Sequence, residues 1–169
     1  MSPTNMGLSL LANLSAHDFG YLPMGGLIER TRETLRTMDA LQRYRGHFYN
    51  WYDTLSLEIL PPQYVSTVDS GNLAASLLTL RAGLLALPDQ GIVGPRLIAG
   101  LGDTLQVLMN SIAGNVSPPL ARLHQDVEAA RHSPPTGISE TRQWLDRLAA
   151  SAEKLARSEE RRVGKECRL

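Results

Sequence analysis

The chain has a single cysteine, Cys167, in 169 residues, so neither an intrachain disulfide framework nor a cysteine-based zinc cluster is available. It has no net charge, with 17 basic and 17 acidic residues, and no Lys or Arg occurs before Arg30. Nucleic-acid binding therefore lacks an electrostatic footprint. The uncharged opening, residues 1–16, has no basic segment of the kind that begins a signal peptide. Residues 104–121 are also uncharged, but Gln106, Asn110, Asn115 and the Pro118-Pro119 pair disqualify them as a membrane span. Runs of β-branched residues are scarce, and the apolar 43% is mostly Leu and Ala, which favours helix.

Aromatics are few as well, at 5% of the chain, yet they are not scattered. Residues 44–72, YRGHFYNWYDTLSLEILPPQYVSTVDSGN, hold Tyr44, Phe48, Tyr49, Trp51, Tyr52 and Tyr64. His47, Asn50, Asp53, Glu58, Asp69 and Asn72 lie among them, and Pro61-Pro62 interrupts the run. A packing segment would repeat with period 3.6 or 2 and shed its polar groups. Rings interleaved with carboxylates, amides and an imidazole suit a saccharide, whose faces stack on aromatics while its hydroxyls pair with Asp, Asn and His. The alternative is a long loop pinned to underlying helices by its own aromatics. Composition leaves both readings open.

Around this segment the pattern is helical. Ser2-Pro3 reads as a cap and first turn, opening a helix through Leu8, Leu11 and Leu14 that ends near His17 to Gly20. Residues 27–43 form a second helix, with Leu27, Ile28, Leu35, Met38 and Leu41 on one face. A third begins at Asp69 or Ser70 and runs to Pro88, apolar nearly all round and so expected to be fully buried. Three more span about 95–113, 118–132 and 139 onward. No alternating strand of useful length appears. Paired helices with short links and one long decorated connection predict an all-α fold, an α/α hairpin array or toroid.

Composition shifts after Ala156, where RSEERRVGKECRL holds five basic and three acidic residues. Residues 157–167 resemble the in-frame translation of a sequencing adapter. The expected organisation is a domain over 1–156 followed by a non-native tail over 157–169, the alternative being a genuine charged helix end.

Most other candidate chemistries are weak. His17-Asp18 stands at a helix end, where it complements the dipole. His47 has no second histidine at ligand spacing, so no metal site is expected. No nucleophile elbow or phosphate loop is present. Glycoside chemistry uses two carboxyls roughly 5 Å apart for retention and farther apart for inversion, and Asp53, Glu58 and Asp69 are available. Asp69, beside the amides of a helix start, would have a lowered pKa and suit hydroxyl binding better than acid catalysis. N-capping explains it equally well.

Three ordered motifs, SPTNMGLSLLANLSAHDFGYL, YRGHFYNWYDT and YVSTVDSGNLAASLLTL, resemble the central glucoamylase-like domain of bacterial cyclic β-1,2-glucan synthases. The likeness covers about residues 2–87. It implies part of an (α/α)6 barrel, incomplete because six helices are expected where a closed ring needs about twelve. It also implies a retaining transglycosylase that closes linear β-1,2-glucan into rings. The domain would lie on the cytoplasmic side of a bacterial inner-membrane protein, with no membrane contact of its own. UDP-glucose would serve a separate glycosyltransferase domain, leaving no cofactor in this segment. The implied partners are the glucan chain and the rest of the polypeptide. The residues implied to line the sugar subsites are His47, Tyr49, Asn50, Trp51, Asp53, Asp69, Ser70 and Asn72, with Asn5 and Ser66 in the same motifs. The family's acid and nucleophile are not assigned here. By itself such a half-barrel is expected to be poorly stable and inactive. A stand-alone helical hydrolase or phosphorylase and a non-catalytic carbohydrate-binding module are the alternatives.

Overall fold

The computed structural model describes residues 1–112 and 116–166, with side chains through Arg157. Helices dominate it, as the composition predicts. The chain forms two compact units, residues 1–92 and 93–169.

In the first unit, α1 (Pro3–Asp18) begins as expected. The Ser2 hydroxyl accepts from the Asn5 amide while the Asn5 side chain accepts from the Ser2 amide, a capping box with proline in the first turn. The second helix, α2, spans Met24–Ala40 rather than residues 27–43. Pro23, extended at φ −68°, starts it early, and Gly26 fits under Leu22 in its first turn. Leu41 is extended, which releases Arg43 into a two-stranded hairpin, β1 (Arg43–Tyr44) with β2 (His47–Phe48). Tyr52 also bridges Ile59. These strands are too short to leave a period-2 signal in the sequence.

The third helix, α3 (Thr67–Ala86), is capped by Ser66, whose hydroxyl accepts from the Asp69 amide, and not by Asp69 or Ser70. Nor is it fully buried. Leu73, Ser76 and Leu80 are covered, whereas Val68, Leu78 and Leu85 are exposed. The reason is that α3 packs chiefly along one partner, α1. With the 3-10 turn Leu87–Asp89 it makes a 23-residue stretch of hydropathy 1.3, long and apolar enough to cross a membrane by length and composition. That stretch nevertheless holds Asp69, Asn72 and Arg81.

Helices α1 and α3 run parallel, because Thr4 meets Asp69, Gly7 meets Ser76 and Leu14 meets Gly83. Missing side chains at Gly7 and Gly83 let the backbones approach. The long connection returns from the end of α2 to the starts of α1 and α3. Leu10, Leu27 and Tyr52 are completely buried in this unit, each worth about 1.5–3 kcal/mol for an aliphatic or aromatic side chain.

In the second unit α4 (Pro95–Ser111), α5 (Pro118–His132) and α6 (Ile138–Glu166) pack α4 on α5 and α5 on α6. Their core is Ile98, Leu105, Leu120, Leu123, Val127, Ala130, Trp144 and Leu148. The fourth helix stops at Ser111, and the expected end at Ala113 lies outside the described residues. The α6 backbone continues without a break past Ala156.

Two glycines in the first unit should respond oppositely to alanine. A Cβ on Gly7 would stand 2.8 Å from Ser76 Cβ and 3.4 Å from the Leu73 Cα, neither of which can swing aside. Overpacking should outweigh the helix-propensity gain, so Gly7→Ala is expected to lose about 1–2 kcal/mol in urea unfolding. Gly71 has no atom within 4 Å of a built Cβ, and Gly71→Ala should gain up to about 1 kcal/mol.

Candidate functional site

The aromatic segment is held by a buried phenol. Tyr52 is 0% exposed, and its hydroxyl accepts from the Tyr49 amide (2.7 Å) while donating to the Gln42 carbonyl (2.7 Å). Burial, the largest influence, raises its pKa above the ordinary tyrosine value. Phe48 meets Tyr52 edge to face at 6.5 Å, and Arg43, paired with Asp39, lies 4.5 Å above the Phe48 ring. The loop reading is therefore correct for Tyr52 and Phe48, which anchor the segment.

A second set of groups faces outward. Tyr44, Arg45, His47, Tyr49, Gln63, Tyr64 and Val65 line an open cleft of about 440 Å³. Tyr44 and Tyr49 rings sit 6.4 Å apart and tilted by 54°. Directly behind, Asn50 is buried and joins the loop to the helix starts. In the amide orientation that satisfies all its neighbours, its oxygen accepts from Trp51 Nε1 (2.5 Å) and the Tyr64 hydroxyl (2.6 Å), and its nitrogen donates to Asp69 Oδ2 (3.0 Å). Asp69 Oδ1 accepts from Thr4 Oγ1 at 2.6 Å, and Asn72 Nδ2 donates to that same hydroxyl at 3.1 Å. Trp51 and Tyr64 are 45% and 47% exposed, so their ring faces remain accessible while their polar atoms are engaged.

The eight predicted site residues thus separate. His47 and Tyr49 line the cleft; Trp51, Asn50, Asp69 and Asn72 form the network behind it. Ser70 donates to the Ser66 carbonyl within its own helix. Asp53 stands apart, its Oδ1 accepting from the Leu55 and Ser56 amides in a local turn, and those two amides, Ser56 first, lower its pKa. Both Asp69 oxygens are already bonded internally. The Ser66 hydroxyl, followed by that of Thr4, holds the Asp69 carboxyl below the usual aspartate value. His17 lies in the last turn of α1, with Nδ1 3.0 Å from the Leu22 carbonyl beyond the helix. Among the described residues no three His, Cys, Asp or Glu side chains gather as a metal site.

Reading the sequence missed Thr4, Arg45 and Gln63 as parts of this region. Arg45-Gly46 did carry a signal, since two residues between paired positions close a tight hairpin, but arginine is an unusual first member.

No family model matches the chain. Over 114 residues, 66% of the chain, it is 39% identical to the cyclic β-(1,2)-glucan synthase NdvB of Rhizobium meliloti (strain 1021). The chain is related to that synthase. The expected relationship to a cyclic β-1,2-glucan synthase is thus shown, and that synthase is a bacterial protein. The match spans about 4% of the length of NdvB.

The network makes two stability predictions. Thr4→Val removes one donor to Asp69 and one acceptor for Asn72, and should lose about 1–2 kcal/mol. Asp69 has a depressed folded pKa, so its stabilisation is complete above the unfolded value of about 3.9 and disappears as pH falls through the folded one. Asp69→Asn should flatten that acid limb of a thermal-melting profile below about pH 4 and leave the neutral limb parallel to wild type.

Proposed function

We propose that this chain is a segment of the ring-closing transglycosylase domain of a cyclic β-1,2-glucan synthase, and that its aromatic loop forms a glucan-holding subsite. The observation that carries the reading is the 39% identity with NdvB over 114 residues. The cleft supports it locally, because exposed tyrosine and tryptophan faces beside His47 and Gln63 offer stacking surfaces and hydrogen bonds to sugar hydroxyls. His47, Tyr49 and Trp51 would touch the glucan. Asn50, Asp69 and Asn72 would hold the loop behind the cleft, with Ser70 bonded within α3, and Asp53 would shape its own local turn.

The parallel pair α1 and α3, with α2 running back along α1, is the repeating unit of an (α/α) barrel and supports an incomplete toroid. In this reading the domain covers 1–156, the tail 157–169 is non-native, and the parent is a bacterial inner-membrane enzyme with this domain on the cytoplasmic side. UDP-glucose would be used in its separate glycosyltransferase domain, and the remainder of the polypeptide would pack on the apolar face of α3.

Among the described residues no carboxylate lines the cleft, which supports a role in holding glucan and leaves bond cleavage to other groups. The same observation favours a second reading, a non-catalytic carbohydrate-binding module. Titration of the purified chain with β-1,2-linked gluco-oligosaccharides, followed by tryptophan fluorescence, tests both readings. Saturable binding without turnover is expected, weakened roughly tenfold, about 1.4 kcal/mol, in Tyr64→Ala and His47→Ala. Turnover by this chain alone would overturn the assignment of the chemistry elsewhere, and unchanged binding in both variants would overturn the subsite.

A further inference from the structure

Arg45 sits where an arginine is not expected. It forms the turn of the hairpin with Gly46, at φ +49° and +86°, between the paired residues Tyr44 and His47. Such a turn prefers Asn, Asp or Gly at its first position, because a β-carbon is disfavoured at positive φ. At this strained position the arginine side chain lines the cleft, with its guanidinium 5.4 Å from the centre of the Tyr44 ring.

The remaining lining defines what that cation faces. Arg45 and His47 are the ionisable bases of the cleft, Tyr44, Tyr49 and Tyr64 supply phenols, Gln63 an amide, and no carboxylate is present among the described residues. Arg43, two residues earlier, is paired with Asp39, whereas no carboxylate pairs with Arg45 among the described residues. A guanidinium donates from five N–H groups and accepts nothing. The phenols, the amide and the imidazole both donate and accept, so the guanidinium is the lining group that only donates. An anionic group complements that guanidinium, and a flat apolar face complements the tyrosine rings beside it.

We infer that the cleft selects a saccharide bearing an anionic group such as phosphate, with Arg45 as the specificity-determining residue: the guanidinium binds the anion and the tyrosines hold the sugar. This rests on the saccharide reading above and adds the charge of the ligand.

The test compares glucose 6-phosphate, glucose, inorganic phosphate and a neutral β-1,2-gluco-oligosaccharide on the full chain, by calorimetry and tryptophan fluorescence. Glucose 6-phosphate should bind at least tenfold more tightly than glucose or phosphate alone, and more weakly as salt is raised. Arg45→Gln should abolish that preference, while Arg45→Lys should keep it only in part, lacking the planar fork. Arg45→Asn is the folding control. It suits positive φ, so it should fold at least as well as wild type yet lose the preference. Equal affinity for glucose and its phosphate, or a preference that survives Arg45→Gln and Arg45→Asn, overturns the inference and leaves the glucan subsite standing. Phosphate binding as tightly as glucose 6-phosphate overturns it as well. Absence of binding by every saccharide overturns both.

Discussion

The carboxylate of Asp69 is the point at which two helices and a loop become one structure. It sits in the first turn of α3 and takes the Thr4 hydroxyl from the first turn of α1 and the Asn50 amide from the loop. A half-buried charge of this kind is tolerable only when its oxygens are satisfied, and each of them is. The parallel packing of α1 on α3 makes the meeting possible, and the small residues Gly7 and Gly83 make that packing close. Without that approach Thr4 would not reach Asp69, and Asn50 would lose the partner that keeps it buried.

From Asn50 the order spreads to the cleft. Its oxygen binds the polar atoms of Trp51 and Tyr64, which leaves their rings turned toward solvent. Tyr52 does the complementary task beneath, spending its hydroxyl on the Tyr49 amide and the Gln42 carbonyl so that the hairpin stands in one position. Exposed rings with buried polar anchors combine rigidity with an accessible apolar face, a useful pairing for recognising the face of a sugar ring.

Much of this was legible in advance. The cap at Ser2 with its following proline, the helical period of α2, the approximate positions of α5 and α6, and the singular composition of residues 44–72 all announce themselves over short spans. The α3 boundary was misread because Ser66, Asp69 and Ser70 are all good caps, and only the path of the preceding chain selects Ser66. The burial of α3 was misread for a related reason. A sequence apolar on every side states that a helix could be covered, not how many neighbours it has. Asp53 and Asp69 looked alike as candidates, yet one closes a local turn and the other joins two helices 65 residues apart in sequence.

By itself the sequence determined the helical class, the location of the decorated segment and the relationship to a cyclic β-(1,2)-glucan synthase, since composition, periodicity and ordered motifs are properties of neighbouring residues. Only the tertiary structure decided which polar groups face the cleft and which are consumed inside. That division depends on contacts between residues distant in the chain, such as Thr4 with Asp69 and Asn50 with Asp69, and on the backbone turn that places Arg45 at the cleft.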